Sequence, residues 1–94
     1  MKNSIFIRNP DIVTRIDDNE ALLFNPQDAN LVCINETGLY VWNICEKECF
    51  KEAIVEKIIQ EYDFSSREAV AQDLDTFLNV LEKAGFLGRK VKEA

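Results

Sequence analysis

The spacing of apolar residues changes near Asn35, and that change divides the chain into a part that must pleat and a part that must coil. Before it, three short apolar runs, Ile12 to Ile16, Ala21 to Phe24 and Leu31 to Ile34, are separated by Asp17-Asp18-Asn19-Glu20 and by Asn25-Pro26-Gln27-Asp28-Ala29-Asn30. Such runs bounded by such clusters read as three strands joined by two turns. Proline presets φ, and short polar side chains bond their own backbone, so Asn25-Pro26 and Asp28 supply turn chemistry. The expected product is an antiparallel meander. Ile5-Phe6-Ile7 fits either a further short strand or a lead-in packed on the sheet edge.

After Asn35 the spacing is helical. Asn35 or Thr37 can cap a first helix, with Glu36 placed against the positive end of its dipole. Gly38, Val41, Trp42 and Cys45 then share one face at three-and-four spacing. Glu46, Lys47 and Glu48 interrupt the pattern, and Phe50, Ile54, Ile58 and Tyr62, with Ala53 and Ile59, form the stripe of a second helix ending near Tyr62. Asp63 to Ser66 reads as a connection in which Ser65 or Ser66 caps a third helix, Ser66 to Ala84, with Glu68 near its N-terminal end. Val70, Leu74, Phe77, Leu78 and Leu81 supply its apolar face, and Gly85 is a natural stop before Phe86-Leu87 returns to the core.

Strands that precede helices, rather than alternating with them, indicate an α+β fold: a three-stranded antiparallel sheet followed by three helices. At 94 residues the expectation is a single domain, 1–94, with one small core. Helices packed on one face leave at least one strand edge without a neighbour. Such an edge offers unpaired N–H and C=O groups to an extended peptide. The same edge can pair with a second copy of the chain, which makes a homodimer an option.

Composition removes whole classes of function. There is no histidine, hence no Ser-His or Cys-His nucleophile and none of the commonest metal ligand. Eleven Lys and Arg against seventeen Asp and Glu give a net charge of −6, the wrong sign for a protein held by nucleic-acid phosphates, although Arg89, Lys90 and Lys92 cluster near the C-terminus. Apolar stretches such as Ala21 to Phe24 fall far below the roughly 20 residues that cross a bilayer, so no membrane association is expected. Met1 to Arg8 lacks the apolar core of a secretory signal, and the three cysteines are too few for a disulfide scaffold. A cytoplasmic chain with free thiols is the expectation.

Candidate chemistry is sparse. Cys45 and Cys49 lie four apart, but a zinc site needs about four ligands and Cys33 is the one further soft ligand. Cys33 and Cys45 are better read as small apolar residues in or beside the core, with Cys49 in the turn between helices. Asp17-Asp18, Glu46 with Glu48, and Asp73 with Asp75 fall in turns or on polar helical faces, where solvation accounts for them. Gly38, Gly85 and Gly88 are too scattered for a phosphate loop. Trp42, Phe50, Phe64 and Phe77 fit core packing better than base stacking. No enzyme activity, metal or cofactor is expected. A winged-helix DNA-binding regulator is the rival reading, but its third helix would bring Glu68, Asp73, Asp75 and Glu82 to the phosphates against Arg67 and Lys83 alone.

The segment Ile34-Asn35-Glu36-Thr37-Gly38 resembles the "L-N-E-T-G" signature at the strand-to-helix junction of the PqqD-like family. Leu22-Leu23-Phe24-Asn25-Pro26 is similar to that family's second strand and turn, and Ala53-Ile54-Val55 with Ile58 to its second helix. Asp73-Leu74-Asp75-Thr76-Phe77-Leu78, followed by Leu81 and Gly85, is similar to its third. The resemblance runs from about Ile7 to Leu87. Where the family often has an acidic-glycine turn after the first helix, this chain reads Cys45-Glu46-Lys47-Glu48-Cys49.

The resemblance implies a compact winged-helix-like domain that recognises the leader of a ribosomally made precursor peptide and presents it to a modifying enzyme, often a radical S-adenosylmethionine protein. It places the leader as an added strand beside Leu31, Val32, Cys33 and Ile34, in a groove also lined by the third helix. If Ile34 points inward, strand alternation sends Val32 inward and Leu31 and Cys33 to the opposite face. Val70, Asp73, Leu74 and Phe77 are the expected other wall, although Leu74 and Phe77 also fit ordinary core. The expectation is a noncatalytic peptide chaperone.

Overall fold

The structure, a computed structural model, describes residues 2–62 and 66–93, with side chains described for 4–62 and 66–91. Phe64, Ser65 and the greater part of the expected connection before the third helix lie outside the described residues. In chain order the elements are β1 (Lys2–Arg8), β2 (Val13–Asp17), β3 (Glu20–Asn25), β4 (Asn30–Ile34), α1 (Glu36–Ile44), β5 (Cys49–Phe50), α2 (Lys51–Glu61), α3 (Arg67–Lys83) and β6 (Leu87–Glu93). The fold is α+β.

The expected meander is present as the antiparallel sheet β2-β3-β4. Its second turn is built as the side chains dictate: Asn25 Oδ1 accepts from the Gln27 amide and Asp28 Oδ1 from that of Asn30, each at 3.0 Å. A positive φ of 62° falls on Ala29, a residue with no special tolerance for it. Ile12 is buried but precedes β2 rather than opening it.

Three strands prove too few, because Ile5-Phe6-Ile7 belongs to β1, and β1 pairs with β6 along its whole length and with β5 on its other side. This second antiparallel sheet joins the two ends of the chain. The amide of Arg8 donates to Cys45 O and that of Asn9 to Phe86 O, both at 2.8 Å, which fixes the end of β1 between α1 and α3.

The helices follow their caps. Asn35 Oδ1 accepts from the Gly38 amide at 2.9 Å, and Ser66 Oγ from that of Ala69 at 3.2 Å, satisfying first-turn donors that would otherwise go unmet. Each such cap contributes about 1 kcal/mol. Gly85, with φ 84°, takes the left-handed conformation that ends α3. Phe50 departs from its expected place in the α2 stripe. The helix begins one residue later, and Phe50 pairs with Ile5 in β5, where it is 42% exposed.

Trp42, Phe6, Phe86, Leu23, Ile54 and Leu78 form the centre of the core, each with at most 1% of its surface exposed. The helices cover the inner face of the meander through Ala21, Leu23 and Ile34, while Trp42 Nε1 donates to Thr14 Oγ1 at 3.0 Å. Across the second sheet, the Arg89 guanidinium lies 4.9 Å from the centroid of the Phe6 ring.

Candidate functional site

β4 has one strand neighbour, β3, and its other edge is unpaired among the described residues. Along it the side chains alternate as period two requires: Ile34 is buried and Val32 half-buried, whereas Leu31 and Cys33 are exposed on the opposite face. Cys33 therefore lies on the outward face, as strand alternation expects, and not within the core, one of the two places its residue type suggested. The reason is register, since it opposes Leu22 on the outward row of the sheet.

The chain leaves β4 at Asn35 and enters α1 at once, which brings the strand's end to the mouth of a groove of about 360 Å³ between α1 and the first half of α3. Val41, Ile58, Val70 and Leu74 form its apolar floor, and Asn35, Thr37, Ser66 and Asp73 stand around it. Phe77 links groove to strand. A Cβ placed on Gly38 would lie 3.1 Å from Phe77 Cε1 and 3.1 Å from Ile34 Cβ, so the ring, the strand end and the first turn of α1 meet where a glycine gives them room.

Val70, Asp73, Leu74 and Phe77 thus share one groove, and Leu31, Val32, Cys33 and Ile34 occupy the edge that leads to it. Val70 and Leu74 are also core, at 7% and 3% exposure, while Phe77 is half-buried and Asp73 exposed. Gly38, Thr37, Ser66 and Ala69 were not singled out as lining, because a groove wall of small and polar residues leaves no apolar stripe to read. Asp73 makes no ion pair among the described residues, whereas nearby Asp75 holds Lys51 at 2.6 Å.

A second depression, about 600 Å³, lies on the other sheet between Phe6, Phe50, Lys51, Asp75 and Arg89. It is crossed by the Lys51–Asp75 ion pair and has no open strand edge of the meander beside it. Thiol chemistry is muted at the centre of the protein: burial pushes the Cys45 thiol up to about 12, Cys49 adds to the shift and Arg8 opposes it. No group of three or more His, Cys, Asp or Glu side chains able to hold a metal ion occurs among the described residues. Nor is any described helix long and apolar enough to cross a membrane.

The family described as "Coenzyme PQQ synthesis protein D (PqqD)" matches residues 20–87, from the first residue of β3 to the start of β6. The chain belongs to the PqqD family. The match takes in β4, the junction at Asn35, all three helices and every residue that lines the groove, and it leaves out β1, β2 and nearly all of β6. No curated protein matches this PqqD-family chain.

Two solved structures are similar to it. TbiB1, in complex with the TbiA(beta) leader peptide, is 28% identical, with a TM-score of 0.75 over 86% of this chain and 93% of the other. A lasso peptide synthetase B1, complexed with the leader peptide, is 16% identical and superposes with a TM-score of 0.74 over 88% of this chain and 96% of the other. At that identity the second likeness concerns the fold alone.

Proposed function

We propose that this PqqD-family chain is a noncatalytic recognition domain that takes up the leader of a ribosomally made precursor peptide as an extra strand beside β4. A separate modifying enzyme, of the radical S-adenosylmethionine class, then acts on the portion of the precursor left outside. The observation that carries this reading is the unpaired edge of β4 running directly into the apolar groove between α1 and α3. An edge supplies main-chain donors and acceptors to any sequence, and a groove beside it selects side chains, which together are the two requirements of recognition by strand addition. The likeness to TbiB1, whose structure is a complex with a leader peptide, supports the same reading.

The test is a titration of the isotopically labelled protein with a synthetic peptide spanning the leader of the precursor encoded beside it. Saturable shifts are expected for the amides of residues 31–34 and for the groove-lining part of α3. A titration that leaves those amides unmoved overturns the proposal. Co-purification of the modifying enzyme that rises when precursor is added supports the presenting role, whereas retention of the enzyme without any response to precursor refutes it.

A further inference from the structure

Both faces of the meander carry apolar rows, yet helices cover one face; on the open face the charged residues are Arg15 and the Asp17–Glu20 pair beside the first turn. The ladder sets Val13 opposite Phe24 and Phe24 opposite Leu31, and on the same face it sets Arg15 opposite Leu22 and Leu22 opposite Cys33. Ala21 and Leu23, which alternate with these positions on β3, are 4% and 0% exposed, so the two rows point away from the helices. An antiparallel sheet with one solvated face ordinarily alternates apolar-in and polar-out. Here Arg15 is the single charged side chain among the six outward positions just named. Val13 and Leu31 are 54% and 60% exposed.

The row Val13–Phe24–Leu31 ends at the unpaired edge. Any strand added there sets one side chain beside Leu31 on the outer face and its immediate neighbour beside Val32 on the groove face. Neither edge strand lines the groove itself, but β4 leads through Asn35 into its wall while β2 lies at the opposite edge of the sheet, so β4 is where both faces can be read together. We infer that the guest peptide carries two consecutive apolar residues in its paired stretch, one turned toward the groove and the other completing the row Val13–Phe24–Leu31 on the far side of the sheet. The inference rests on the strand-addition reading and adds to it a specificity position outside the cavity.

A double-mutant cycle tests it, with the same synthetic leader peptide as probe. The outward residue is taken as the one whose signals contact the Leu31 methyl groups, and a second peptide carries Ser at that position. Leu31→Thr keeps strand propensity while removing the apolar contact, and Val13→Thr at the remote end of the row is the control. Leu31→Thr is expected to weaken the native leader roughly two- to five-fold, the range of a cross-strand pair, and to leave the Ser peptide unaffected. Val13→Thr is expected to change neither affinity. Equal losses for both peptides overturn the inference while leaving strand addition intact. An altered sedimentation of the free protein without coupling to the peptide assigns the face to a second copy instead and also overturns it. Failure of the wild-type protein to bind the native leader removes the parent reading, and the inference falls with it.

Discussion

A Cβ on Gly38 would sit 3.1 Å from Phe77 Cε1 and 3.2 Å from Phe77 Cζ, closer than side chains ordinarily approach. Alanine is the better helix former by about 1 kcal/mol, which offsets part of the strain of displacing both the ring and Ile34, whose Cβ would lie 3.1 Å away. Gly38→Ala is therefore expected to leave thermal stability within a few degrees of wild type and to lower leader affinity several-fold, because the ring is pushed relative to the strand end. Thermal unfolding and calorimetric titration measure the two effects separately. At this scale the sequence was informative wherever chemistry is local. Asn35, one of two candidate caps for α1, and Ser66, one of two for α3, do cap those helices, since a short side chain can reach a donor three residues on. Residue type alone left Cys33 in or beside the core, whereas strand alternation puts it on the outward face, where it lies.

Among elements, the proposed site sets β4 beside α3, and adjacent residues of α3 are expected to separate stability from recognition. Leu78 is fully buried, whereas Phe77 is half-buried and borders the groove. Leu78→Ala should cost about 2–5 kcal/mol of stability through the cavity it leaves. Phe77→Ala should cost less in denaturant unfolding and more in leader affinity, and a reversed order would remove Phe77 from the binding wall. The extent of α3 and its buried positions were legible because four or five turns of regular spacing leave little ambiguity. The start of α2 was not. Phe50 keeps helical spacing with Ile54, but it is drawn into pairing with Ile5, a partner 45 residues away that no local pattern announces.

For the whole molecule, the pairing of β1 with β6 is the largest feature that sequence reasoning did not reach. Its two strands lie at opposite ends of the chain, and β6, with Gly88, Arg89 and Lys90 after Leu87, lacks the apolar alternation that identifies a strand. The pairing is structural closure, set apart from the groove. Deleting residues 88–94 removes six of the seven ladder pairs and the Arg89 contact on Phe6, a loss of about 3–6 kcal/mol at roughly 0.5–1 kcal/mol per net hydrogen bond. The truncated chain should unfold at lower denaturant yet still bind leader at a temperature where it remains folded. Loss of binding by the folded truncated chain would tie the terminal sheet to recognition.

The bare border of β4, with Leu31 60% exposed upon it, is also a hazard, since naked strands template self-aggregation. On the strand-addition reading an empty copy is the vulnerable one and a bound leader would serve as its protective selvedge, so the solubility of this chain is expected to rise and fall with the supply of leader peptide.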